Sequence, residues 1–396
     1  MKWFRDIGPG ILIAAAFIGP GTVTLCTIAG ASFGLSLIWA IILSIFSTVV
    51  LQEMSLRIGL ITKMNLAQVI RINIRSKILN RILLILIISS ILIGNAAYEA
   101  GNISGASLGI SAILNLNSIN YIPLFIGIFA FVILYQGDYK ILETVLIILV
   151  LIMSISFFIT AIITKPNIND LINGIIFPEI NSNNVMIILG LIGTTVVPYN
   201  LFLHSSLVSE KWNSMEKLKV ARFESFFSIL IGGLVSISII ITAASVNNKD
   251  VTGVIDLARG LEPLYGKFAI YFLGIGLFAS GITSSITAPL AAAYVAKSCF
   301  GWNESFKNIK FRATWIIILT LGVLISMVKI NPIEIIKFAQ FSNSLLLPII
   351  ATILVWLINN KKIISNNYNY KYQNLFGCLI IIITIILGVK GIISII

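Results

Sequence analysis

The sequence predicts an all-α, polytopic membrane protein with eleven transmembrane helices, on three observations. The chain has 396 residues, of which 58% are hydrophobic and only 11% charged. Apolar runs of membrane-crossing length follow one another almost end to end, and two of them carry a proline break at equivalent places, five spans apart. Soluble domains carry about 25% charged residues. A chain this apolar cannot hide its surface in one core, so lipid is its solvent.

A spanning helix needs roughly 20 apolar residues. Apolar runs between charged or Pro/Asn-rich breaks place spans at 8–33, 35–56, 79–114, 121–136, 140–164, 184–208, 220–246, 268–299, 313–328, 333–358 and 375–396. The third is long enough to tilt or to overshoot the hydrocarbon. The formal net charge of +12 would fit a nucleic-acid partner on a soluble surface. Here Lys and Arg sit in short loops between spans, as topology signals do. The bilayer is therefore the expected partner, with no nucleic acid, and the chain is expected to act as a monomer.

With a cytoplasmic N-terminus, only Lys165, Lys249, Arg259, Lys267, Lys329, Lys337 and Lys390 of the 27 Lys and Arg fall outside. Eleven spans then put the C-terminus outside, in a plasma membrane of prokaryotic type. Lys2 and Arg5 precede the first span without a small-residue cleavage site, so no cleaved leader is expected. Cys26, Cys299 and Cys378 lie in or beside apolar runs at no ligand spacing, and are read as packing residues.

The first span is interrupted at Gly19-Pro20-Gly21, and the sixth at Thr194-Thr195-Val196-Val197-Pro198-Tyr199-Asn200. Proline removes an amide donor and clashes with the preceding turn, and glycine tolerates the unwound geometry that results. Two unrelated kinks are the competing reading, since intramembrane prolines are common. Their equivalent placement predicts instead two five-helix inverted repeats, 1–165 and 166–360, followed by one additional helix in 361–396. In such carriers the solute site lies near the bilayer midplane, between discontinuous helices.

At this point the sequence resembles a known family, the NRAMP metal-ion transporters, whose fold is the LeuT-type inverted repeat. The resemblance rests on Gly8-Pro9-Gly10, the Gly-Pro-Gly break, Leu51-Gln52-Glu53, Arg57-Ile58-Gly59, Thr62 through Val69, and Pro198 through Ser205. It covers essentially the whole chain and implies ion-coupled secondary transport.

The departures bear on the solute. The family's metal site uses Asp-Pro-Gly-Asn in the first helix, where this chain has Gly19 and Thr22 at the Asp and Asn positions. The family's Ala carbonyl and Met thioether in the sixth helix fall at Thr194 and Val197, the following His at Tyr199, and a Gln of the eighth helix at Ile282. Transition metals select imidazole, thioether and carboxylate donors. A divalent cation stripped of water near the midplane without a carboxylate is very costly. The helix starts near Gly21-Thr22 and Tyr199-Asn200 would instead offer amide groups and positive dipole ends to an anion. Thr22, Thr194, Thr195 and Tyr199 would add hydroxyls. The expected solute site is Gly19, Gly21, Thr22, Thr194, Thr195, Val197, Tyr199 and Asn200, with no transition-metal centre.

The eighth span reads Ala279-Ser280-Gly281-Ile282-Thr283-Ser284-Ser285, similar to a stretch of sodium-coupled amino-acid symporters of the LeuT fold. Carried over, that similarity makes Thr283 and Ser284 side-chain ligands of a coupling Na+, with backbone oxygens near Ala16 and Gly19. Hard cations favour such all-oxygen shells. Close packing of small residues is the competing reading. Glu99, within Asn95 through Asn102, aligns with an acidic residue near the family's proton route, whose next Glu falls at Asn102. An isolated carboxylate in a span is a functional hypothesis by default. His204, the only histidine, is a relay or gate candidate or else a satisfied core group. Gln340 and Asn343 either line the pathway or bond across helices.

Three functions fit. The leading one is an ion-coupled transporter of a small anion such as bicarbonate, with Na+ as coupling ion and no other cofactor. The second is a divalent-cation transporter of the Mn or Mg type, helped by Glu99. The third is a non-transporting sensor on a transporter fold. No nucleophile–base constellation or phosphate loop is visible, which argues against an enzyme.

Overall fold

A computed structural model describes residues 18–74, 76–116, 121–137, 140–212, 215–246, 250–302, 308–361, 363–364 and 370–394. Each predicted span has a helical counterpart. In chain order these are α1 (Pro20–Phe33), α2 (Ile38–Thr62), the short α3 (Leu66–Asn73), α4 (Lys77–Leu114), α5 (Ile122–Gln136), α6 (Lys140–Ile163) and the short α7 (Ile168–Ile176). There follow α8 (Val185–Thr195), α9 (Pro198–Lys211), α10 (Leu218–Ala244), α11 (Ala269–Phe300), α12 (Ile309–Ser326), α13 (Pro332–Asn359) and α14 (Lys371–Ile393). Short helical turns occupy much of 254–268.

Among the described residues, 9 helical segments are long and apolar enough to cross a membrane, with α8 and α9 together forming one of them. Helix α5 is a shorter apolar helix. The first span is described only from Ile18 onward, so its N-terminal half, with Ala16, lies outside the described residues. The 38 residues of α4 span roughly 57 Å at 1.5 Å per residue, well beyond a hydrocarbon core of about 30 Å.

Lipid supplies no hydrophobic drive between helices, so close approach of backbones must hold the bundle. Helix α4 pairs most extensively with α11. At Gly109 a Cβ would lie 2.6 Å from the Phe278 amide nitrogen of α11. Asn95 of α4 adds a hydrogen bond, its Nδ2 donating to the Ala288 carbonyl at 2.8 Å. Helices α1 and α10 meet similarly at Gly30, where a Cβ would fall 2.7 Å from Ala243 Cβ.

Helix α2 runs past its predicted end at 56, because Arg57 is not a loop residue. Arg57 is fully buried, with Nη2 on Glu53 Oε2 at 3.0 Å, one turn earlier. The other Glu53 oxygen accepts from Arg222 of α10, at 2.8 Å from Nε and 2.5 Å from Nη2. Both guanidiniums lie over the Tyr370 ring, at 4.8 and 4.9 Å.

Candidate functional site at two helix breaks

Both break prolines begin a helix. Pro20 opens α1 behind Gly19, which is extended at φ −99° and ψ 178°. Pro198 opens α9 behind Val197, at φ −80° and ψ 119°. The first helical position is where a missing amide hydrogen costs nothing and a fixed φ helps. No side chain caps either start. The Asn200 amide donates to the Val197 carbonyl at 3.1 Å, so that amide is already engaged rather than turned to a solute.

The two breaks meet. Thr22 of α1 and Thr194 of α8 share a buried hydrogen bond between hydroxyls at 2.9 Å. A Cβ on Gly19 would make ordinary contact with Ser284 Oγ at 3.4 Å and Tyr98 Oη at 3.7 Å. The break thus faces α11 and α4. Tyr98 meets Tyr199 edge to face, ring centroids 5.6 Å apart. Asn200 is fully buried, and neither its Oδ1 nor its Nδ2 has a hydrogen-bond partner among the described residues.

Helix α13 closes the arrangement through Gln340. Its Cδ would lie 2.6 Å from a Cβ on Gly21, and its backbone carbonyl occupies the place of a Cβ on Gly193. Gln340 Oε1 is buried without a hydrogen-bond partner among the described residues. On the other side, Gly105 of α4 leaves room for the Pro20 ring. The break is lined by hydroxyls and amides. Among the described residues, no group of three or more His, Cys, Asp or Glu side chains is placed to hold a metal ion.

Other predicted residues lie elsewhere or turn away. Thr195 Oγ1 donates to the Leu191 carbonyl at 2.9 Å, and Thr283 Oγ1 to the Ala279 carbonyl at 2.8 Å. Within a helix, the carbonyl four residues back is the acceptor a threonine reaches first. The hydroxyl proton expected from Thr195 is therefore spent inside α8. Val197 is a buried apolar residue at the start of α9. Glu99 is fully buried, accepts from Asn102 Nδ2 at 3.3 Å, and packs against Gly322 of α12. His204 sits further along α9, its Nδ1 2.5 Å from Gln52 Oε1 of α2.

Sequence reasoning missed Tyr98 at the break, the Gln52 partner of His204, and the Glu53–Arg57–Arg222 cluster. Tyr98 had a signal, as an aromatic beside Glu99 in a polar stretch of an otherwise apolar span. Gln52 and Glu53 had one too, as adjacent polar residues at the end of the second span.

Two helices that begin at prolines and meet across a buried hydroxyl pair, in a bundle whose described residues include 9 segments long and apolar enough to cross a membrane, fit the class of secondary transporters with discontinuous helices. The chain belongs to the natural resistance-associated macrophage protein-like (Nramp) family, whose model matches residues 10–394. It is 28% identical to the divalent metal cation transporter MntH of Staphylococcus aureus (strain bovine RF122 / ET3-1), over 98% of this chain and 90% of the relative. The fold matches the Eremococcus coleocola manganese transporter crystallised with an aromatic bis-isothiourea substituted compound. That match has a TM-score of 0.80 and 19% identity, over 100% of this chain and 87% of that one. A further match is Mhp1, a nucleobase-cation-symport-1 family transporter in a closed conformation, with a TM-score of 0.60 and 15% identity over 98% and 90%. Members of the Nramp family are transporters rather than enzymes.

Proposed function

We propose that this chain is an ion-coupled secondary transporter whose solute is a small oxyanion such as bicarbonate, held between the breaks before α1 and α9. The observation that carries this reading is the lining of the junction. The hydroxyl pair Thr22–Thr194 spans it at 2.9 Å, with Gly19 and Val197 at the two helix starts and, one turn on, the Asn200 side-chain amide, which has no hydrogen-bond partner among the described residues. Hydroxyl and amide hydrogens and the positive ends of α1 and α9 favour negative charge. In this reading Ser284, beside Gly19, contributes to a Na+ shell, and Glu99 with Asn102 forms a separate polar step between α4 and α12. The chain is read as two inverted repeats, 1–165 and 166–360, with 361–396 added, and with the N-terminus cytoplasmic.

A second reading, transport of a divalent metal cation, is favoured by the relatives' names and by the near full-length match to them. Under it, Glu99 supplies the carboxylate nearest in sequence to the Tyr98 that faces the break, and the ion keeps part of its water shell.

Reconstituted proteoliposomes with a lumenal pH indicator separate the two. An inward Na+ gradient with bicarbonate is expected to alkalinise the lumen, whereas carbon dioxide leaking through lipid acidifies it. Saturable uptake of manganese or magnesium without a bicarbonate response would sink the anion reading. Solute binding with no flux in either assay would make the chain a sensor. The Gly19→Asp variant places a carboxylate beside Ser284 and Tyr98; it is expected to abolish bicarbonate flux and to create divalent-cation binding. Unchanged bicarbonate flux in that variant would place the site elsewhere.

A further inference from the structure

A groove of about 400 Å³ opens on the outside of the bundle, where the end of α3, the start of α4 and the end of α11 meet. Arg71 from the last turn of α3, and Lys77 and Arg81 from the first turns of α4, line one end of it. Among the described residues, no Asp or Glu lines it and none of these three cations forms an ion pair.

The other end of the groove is apolar. Leu84, Ile85 and Ile88 continue along the same side of α4, opposite Phe300 of α11. Ile85 and Phe300 are 56% and 58% exposed. Positions spaced by three and four residues share a helix face, so the cations and the apolar side chains are stacked in order along about 16 Å of α4 rather than mixed. Charge at one end and hydrocarbon at the other is the profile of a single bilayer component. A free anion would use the cations and leave the apolar wall empty.

Arg71 is positioned where the three helices meet. Asn80 of α4 donates to the Arg71 carbonyl at 2.7 Å, tying the end of α3 to α4. Gly301, left-handed at φ 71° just after α11, has no side chain where the Arg71 guanidinium packs, and a Cβ there would overlap Arg71 Nη1.

We propose that this groove binds a phospholipid with an anionic headgroup, its phosphate on Arg71, Lys77 and Arg81 and an acyl chain along Leu84, Ile85 and Ile88. The inference does not depend on which solute the protein carries.

Native mass spectrometry of the detergent-purified full chain tests it, with phosphatidylglycerol, phosphatidylcholine and inorganic phosphate supplied in turn. Phosphatidylglycerol is expected to be retained preferentially and to resist excess inorganic phosphate. The Arg71→Gln/Arg81→Gln variant is expected to bind it about 25-fold more weakly, at about fivefold per cation near a membrane surface. Lys217→Gln/Lys219→Gln, exposed at the start of α10, is expected to change binding less than about twofold. Ile85→Ser keeps every charge and is expected to weaken retention as well, so the test survives if the charge variant does not fold.

Equal retention of phosphatidylcholine, or a loss in the Arg variant no larger than in the Lys control, would overturn the proposal. Complete displacement by inorganic phosphate would do the same, by making this a phosphate site. So would a dimer that forms in place of the lipid adduct and is lost in Ile85→Ser.

Discussion

The helix breaks and the cluster around Glu53 handle polarity in opposite ways. At the breaks, Thr22, Thr194 and Asn200 present hydroxyls and amides without formal charge, and the Asn200 side chain has no hydrogen-bond partner among the described residues. Around Glu53, one carboxylate is shared by two guanidiniums under an aromatic ring, so the polar groups are committed to one another. A buried charge is tolerated when partners complete it and is costly when they do not. The cluster is built to stay shut on its own components. In the function proposed above, the breaks receive a group that arrives from outside.

The largest test of this contrast is Glu53→Gln. Two guanidiniums would then face each other with no carboxylate, and the expected loss is about 3–5 kcal/mol, read as a lower denaturation midpoint in detergent. Adding Arg222→Gln should recover part of it. If the single variant melts like wild type, the cluster is not a committed unit. Gly193→Ala comes next: its methyl meets the Gln340 backbone carbonyl, which cannot rotate away as a side chain could. Overpacking of this kind costs about 1–3 kcal/mol, and a transport rate that survives unchanged would mean the contact between α8 and α13 is loose.

Thr22→Val leaves the Thr194 hydroxyl buried without its partner, at about 1–2 kcal/mol. Replacing both threonines by valine should cost less than the sum of the single changes, because neither position then holds a hydroxyl facing an apolar partner. Strict additivity in that double-mutant cycle would show that the two hydroxyls do not interact. The smallest effect is expected for Tyr370→Leu, about 1 kcal/mol for lost cation–π contact, with transport retained.

The spans were legible because bilayer thickness sets a length that apolar runs either reach or miss. Their ends were less so. The prediction for α2 stopped at 56, while the helix continues to Thr62, because Arg57 finds Glu53 one turn back instead of water. The breaks were legible as Gly19-Pro20-Gly21 and Val197-Pro198. That each proline starts a helix follows from its missing amide, whereas Pro289 and Pro348 lie inside continuous helices. Pairings such as Thr22 with Thr194 and Gln52 with His204 join residues far apart in sequence, and no local pattern encodes them. Local alternatives decide the rest: Thr195 and Thr283 each found a carbonyl one turn behind, which a composition of hydroxyls does not reveal.

Gln340 has a mechanical consequence. Its side chain rests on Gly21 at one break, and its main chain rests on Gly193 just before the other. The two breaks therefore bear on a single strut, α13, so that rigid elements would not let them hinge as separate joints. Any displacement that opens one must either carry α13 along, and so load the other, or first slide off it. A carrier geared this way has one degree of freedom where two broken helices would otherwise supply two.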